Sequence, residues 1–77
     1  MEQKIKQDEI HIGANIRKRR KELGIGQKEL VGKLQFKDQT MTRETLVKIE
    51  RGVQHIKATQ LRAIRDALKT TYDELLK

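Results

Sequence analysis

Ile12, Ile16 and Leu23 recur at steps of 4 and 7, which places them on one face of a helix, while Arg17, Lys18, Arg19 and Lys21 cover much of the remainder. Asp8 is a candidate cap for this helix, and Gly24 ends it as the left-handed residue that follows a last turn. Before it, Met1 to Gln7 offers only Ile5 as an apolar anchor and is expected to fray. A second, short helix starts at Gln27, with Leu30, Val31 and Leu34 in an i, i+1, i+4 stripe.

The stretch from Gln35 to Met41 breaks this period, setting Phe36 among Lys37, Asp38, Gln39 and Thr40, and reads as a connector. Thr42 is the next N-cap candidate. Leu46, Ile49 and Val53 then step by 3 and 4, and Gly52 stands where a third helix, from about Thr42 to Arg51, would end. After a loop over Val53 to Lys57, Leu61, Ile64, Ala67 and Leu68 outline a fourth helix with Arg62, Arg65 and Asp66 on its polar face. Thr71 with Glu74 three residues on is a capping box for a very short fifth helix carrying Tyr72, Leu75 and Leu76. The expectation is an all-α domain of five helices over residues 12–77, preceded by a flexible N-terminal arm, 1–11.

Composition narrows what this helical unit can do. With 77 residues, of which 35% are hydrophobic, the chain can build one small core and no enzyme-sized cavity. The absence of Pro agrees with helices throughout. Without Cys there are no disulfides and no thiolate chemistry, which fits a reducing, cytoplasmic setting. No apolar run approaches the roughly 18 residues of a membrane span, and the first ten residues do not read as a signal sequence.

The charge of +7 is uneven. From Ile12 to Lys37 eight Lys and Arg face two Glu, whereas Met1 to His11 and Thr70 to Lys77 each sum to −1. A basic field of this kind attracts polyanions, with nucleic acid or an anionic membrane surface as candidates; a solvated helix face is the plainer reading. The membrane is the weaker partner, because the basic helix has only three large apolar residues. Ser and Cys are absent, so acyl transfer lacks its nucleophile, and Gly24-Ile25-Gly26 has neither the third Gly nor the preceding strand of a phosphate loop. His11 and His55 stand far apart without Cys or paired carboxylates, so no metal, no cofactor and no catalysis is expected.

Two short helices joined by a turn, behind a basic helix and ahead of two more, form the arrangement of helix-turn-helix domains. The run Gly24-Ile25-Gly26-Gln27-Lys28-Glu29-Leu30-Val31 resembles the second helix of the lambda-repressor/Cro (Xre-type) family. Thr42-Arg43-Glu44-Thr45-Leu46-Val47-Lys48-Ile49-Glu50-Arg51-Gly52 resembles its recognition helix, and Tyr72-Asp73-Glu74-Leu75-Leu76 the segment that closes many members. The resemblance covers about residues 12–76. Two departures stand out: the helix-turn-helix turn is enlarged to the seven residues Gln35 to Met41, and Gly26 replaces the Ser or Thr that caps helix 2.

The resemblance implies a sequence-specific DNA-binding transcriptional regulator, a repressor acting as a dimer on double-stranded DNA, with an antitoxin-like protein-binding module as the alternative use of the same fold. Thr42, Arg43, Glu44 and Lys48 match the family's base-reading positions. Arg43 can pair with guanine O6 and N7 and Glu44 can accept from cytosine N4, although Glu44 and Lys48 also suit an ordinary i, i+4 ion pair. Gln27 matches the residue that meets a phosphate at the start of helix 2. Lys28, Arg17, Lys18, Lys37, His55 and Lys57 are further phosphate candidates. The resemblance also implies a partly buried ion pair between Arg20 and Glu50, and Tyr72, Leu75 and Leu76 are candidates for a dimer face.

Overall fold

The computed structural model of the chain describes residues 4–5, 11–36 and 40–77. Within them β1 (Lys4–Ile5) is followed by α1 (Ile12–Glu22), α2 (Gln27–Gln35), α3 (Arg43–Glu50), β2 (Ile56–Lys57), α4 (Ala58–Ala67) and α5 (Tyr72–Leu75). The apolar stripes converge on one core: Ile12 and Ile16 of α1, Leu30 and Leu34 of α2, Leu46 and Ile49 of α3 and Ile64 of α4 are all wholly excluded from water. α3 packs against both α1 and α2, while α4 closes on α2 and α5 on α1.

The chain leaves α1, α3 and α4 by the same device. Beyond α1, Gly24 N–H donates to Lys21 O and Ile25 N–H to Arg20 O; beyond α3, Gly52 N–H donates to Ile49 O and Val53 N–H to Lys48 O. Both glycines have positive φ, +70° and +78°, the left-handed turn that satisfies the last carbonyls of a helix. Beyond α4 the same two bonds run from Lys69 N–H to Asp66 O and from Thr70 N–H to Arg65 O. Here a lysine holds the left-handed position, with φ +51°.

The structure redraws the sequence reading at several points. α1 begins at Ile12 behind His11, with no side-chain cap; Asp8, expected to cap it, lies outside the described residues. Leu23 falls past the last turn and is 38% exposed instead of joining Ile12 and Ile16 in the core. Gln35 closes α2 rather than opening the connector, and Met41, 4% exposed, anchors the connector's far end in the core. Val53, counted with the stripe of α3, is 64% exposed because the turn at Gly52 has already redirected the chain.

Lys4 and Ile5 belong to the N-terminal segment for which the sequence predicts fraying. Their backbone pairs antiparallel with β2, Lys4 opposite Lys57 and Ile5 opposite Ile56, because the extended segment after α3 offers main-chain donors and acceptors that need partners. In α5 the Thr71 hydroxyl accepts from Glu74 N–H at 3.2 Å as a cap should. The Glu74 carboxylate turns to Lys77 Nζ at 3.0 Å.

A candidate nucleic-acid interface around α3

α3 opens with a capped and exposed turn. Thr42 Oγ1 accepts from Thr45 N–H at 3.1 Å and donates to Thr45 Oγ1 at 3.0 Å, so both capacities of this hydroxyl serve the helix start. Arg43, Glu44 and Lys48 are exposed. Glu44 and Lys48 stand one turn apart, and among the described residues no ion pair joins them. Arg51 continues their face three residues further on and is also exposed. The sequence reading missed it, although its i+7 spacing from Glu44 was the available signal.

The other end of α3 is buried and held. Arg20 Nε donates to Glu50 Oε2 at 2.9 Å and Arg20 Nη2 to Glu50 Oε1 at 3.0 Å, a bidentate pair between α1 and α3 with both residues 7% exposed. Arg20 Nη1 donates to Ile25 O at 2.9 Å, so the remaining edge of the guanidinium is engaged too. The hydrogen bond to Glu50 raises the Arg20 pKa above its ordinary value against the opposing effect of burial, and the group stays cationic. Two turns back on α1, Gly13 lies against the last carbonyls of α3. A Cβ there would collide with Ile49 O and sit 2.9 Å from Glu50 O, so only glycine lets α1 approach this closely.

Gln27 connects the two ends. Its Nε2 donates to Glu50 Oε1 at 3.2 Å, and its Oε1 accepts from Arg43 Nε at 3.5 Å. Gln27 is the first residue of α2 and Arg43 the first of α3, so these contacts bring the two helix N-termini side by side. Gly26 precedes α2 without a side-chain cap, which leaves that end's N–H groups open to an acceptor from outside the chain.

The remaining basic candidates divide. Lys28 is exposed beside Gln27, and Arg17 is exposed on α1, about 60° round the helix from Arg20 at 100° per residue. Lys18 lies on the opposite flank, where it lines a cavity of about 320 Å³ with Asn15, Glu22, Lys69 and Glu74. His55 and Lys57, both exposed, share a second cavity of about 320 Å³ with Val53, Gln54 and Gln60 beyond the end of α3. Lys37 lies outside the described residues.

The candidate dimer face loses one of its three members. Leu75 is 1% exposed and belongs to the core, since α5 turns it toward α1, whereas Tyr72 and Leu76 remain 37% and 38% exposed. Arg65 lies over the Tyr72 ring, 4.5 Å from its centroid.

Two α1 side chains read as surface or left unassigned hold the C-terminal third in place. Arg19 donates from Nε to Leu68 O at 3.0 Å and from Nη2 to Lys69 O at 3.2 Å, and Asn15 Nδ2 donates to Leu75 O at 2.9 Å and Lys77 O at 3.2 Å. They cap the ends of α4 and α5, where carbonyls lack partners and a cation is favoured. Among the described residues no group of three or more His, Cys, Asp or Glu could hold a metal ion, and no helix is long and apolar enough to cross a membrane.

Neither the search of curated proteins nor that of solved structures returned a match. A family model described as helix-turn-helix matches residues 16–75, which takes in α2, α3, the Arg20–Glu50 pair and both closing helices. With most of its length matched, and with the start of α2 set against the start of an exposed α3, the chain belongs to the lambda-repressor-like (Xre-type) helix-turn-helix family of DNA-binding domains.

Proposed function

We propose that this domain is a sequence-specific transcriptional repressor that binds double-stranded DNA as a homodimer, with α3 in the major groove. The observation that carries the reading is the contrast along α3: Arg43, Glu44 and Lys48 are exposed on a helix whose far end is immobilised by Arg20 and Gly13. A rigidly seated helix can present side chains to base edges in one register. Arg43 pairs with a guanine and Glu44 accepts from a cytosine amino group, while Lys48 lies one turn further along the groove. Thr42, engaged at the cap, sets where the helix begins.

Phosphates take the surrounding cations. The uncapped N-terminus of α2, with Gln27 and Lys28, meets one backbone strand, and Arg17, His55 and Lys57 add counterion release, whereas Lys18, on the opposite flank, takes no part. Tyr72 and Leu76 form the apolar centre of the two-fold contact, which puts the half-sites about 34 Å apart, one turn of DNA. In the cell the protein acts in the cytoplasm by occluding a promoter.

The reading is tested by selecting duplexes from a randomised pool with the unaltered protein and measuring affinity for the selected and a scrambled duplex at several salt concentrations. Expected are a two-fold-symmetric sequence and sedimentation of the complex with two protein chains. Lys28→Ala should weaken binding to both duplexes alike and flatten the log–log salt slope by about 0.9 per lost contact, hence about twice that for a dimer. Recovery of no sequence preference, or one protein chain per selected duplex, would contradict it.

A further inference from the structure

We infer that the cavity between α1 and the turn joining α4 to α5 is a binding site for a small phosphate monoester, held by Lys18 and Lys69. The cavity has a volume of about 320 Å³, and four cations, Lys18, Arg19, Lys69 and Lys77, line it against two carboxylates, Glu22 and Glu74. Each carboxylate is matched with a neighbouring cation: Glu22 lies 3.6 Å from Arg19, and Glu74 lies 3.0 Å from Lys77. Among the described residues no ion pair includes Lys18 or Lys69. One uncompensated ammonium group therefore comes from each wall, and an occupant with two negative charges balances them.

The backbone at Lys69 supports this assignment. Of the three left-handed residues that end helices, two are glycine, and only after α4 does a side chain occupy the position, at φ +51°. Glycine would adopt that conformation with less strain. The chain thus keeps a cation there at a cost to the fold, and that cation lines the cavity. The two walls are tied together without any ligand: Asn15 donates to Leu75 O and Lys77 O, and Arg19 to Leu68 O and Lys69 O.

The chemistry of the unpaired groups selects the ligand. The planar fork that suits a carboxylate belongs to Arg19, which spends it on main-chain carbonyls and Glu22. Lys18 and Lys69 are instead point charges with three donors each, which suit the tetrahedral oxygens of a phosphate. A phosphate monoester carries about −1.5 to −2 charges at neutral pH. Thr71 adds a hydroxyl to the lining: its oxygen accepts from Glu74 N–H, and its hydrogen remains for an acceptor in the cavity. Lys18 stands about 160° round α1 from Arg20, which faces α3, so the occupant is a solute and not a duplex held at α3. A second copy of a chain with net charge +7 is a poor match for a cationic cavity.

The test is an NMR titration of the unaltered protein at constant ionic strength with three probes: inorganic phosphate, glycerol 3-phosphate and succinate. Saturable shifts of the Lys18, Lys69 and Thr71 amides are expected with both phosphates, and weaker binding with succinate. Lys18→Gln and Lys69→Gly should each weaken glycerol 3-phosphate by about 1.5- to 5-fold, the range of one exposed charge contact. Lys69→Gly removes the cation and keeps the left-handed turn, so its loss of affinity does not come from a damaged fold. Lys21→Gln, which removes the same charge from an exposed position of α1 outside the cavity, should leave affinity unchanged. Shifts confined to Gln27 and Lys28 would place the phosphate at the α2 terminus and overturn the inference. So would equal losses from Lys21→Gln and Lys18→Gln, succinate bound as tightly as glycerol 3-phosphate, or no saturation with any probe. None of these measurements uses DNA, so their outcome is independent of base readout.

Discussion

At its C-terminal end α3 buries Ile49 and Glu50, receives a bidentate arginine from α1, and lies so close to Gly13 that no side chain fits between. At its N-terminal end the same eight-residue helix shows Arg43 and Glu44 to solvent, stabilised by the hydroxyl of Thr42 and by one long bond from Arg43 to Gln27. A helix of two turns contributes little stability of its own. Its position is thus set almost wholly by tertiary contacts, and the strongest of these are gathered at its buried end. The separation lets the exposed end vary in sequence without unseating the helix.

The comparison is broken most severely at Glu50. Glu50→Ala leaves Arg20 buried opposite nothing and should cost about 3–5 kcal/mol in urea unfolding, a large share of the total for a domain of this size. Gly13→Ala attacks the same end through the main chain, and overpacking against Ile49 O should cost about 1–3 kcal/mol. Gly32 in α2, where an added Cβ meets nothing within 4 Å, supplies the control; there alanine should stabilise by about 0.5–1 kcal/mol. Equal effects at the two glycines would show that the close approach of α1 to α3 does not exist.

At the exposed end the same assay should register less. Thr42→Ala removes the cap of α3 and should cost about 1 kcal/mol. A similar figure with opposite sign is expected at Lys69, which holds at the end of α4 the left-handed position that Gly24 and Gly52 hold after α1 and α3. Lys69→Gly should raise stability by up to about 1 kcal/mol, and a loss would mean that the lysine side chain contributes more than its backbone strain costs.

What the sequence made legible follows from how local each signal is. Gly24, Gly52, Thr42 and Thr71 end or begin helices through bonds that span three to five residues, and each could be read from its neighbours. Arg19 and Asn15 could not: their acceptors are 49 to 62 residues away, and along α1 they look like other polar residues. The three apolar residues of α5 defeated a periodic reading because four residues make barely one turn, too little to tell the buried Leu75 from the exposed Leu76. Lys69 carries no mark of a left-handed residue, since any sequence signal there would have been a glycine. The Arg20–Glu50 pair was suggested by family resemblance and would not have emerged from either residue alone.

The central claim is that the exposed end of α3 reads bases while its buried end holds the register, and it is tested most directly by Arg43→Ala. Affinity for the selected duplex and for scrambled DNA should be measured side by side, with unfolding of the free protein as the control. The account predicts a loss of about 1–3 kcal/mol on the selected duplex, relaxed preference at one base pair, and almost no change in stability. Identical losses on the two duplexes would contradict it, because Arg43 would then act as one more surface charge.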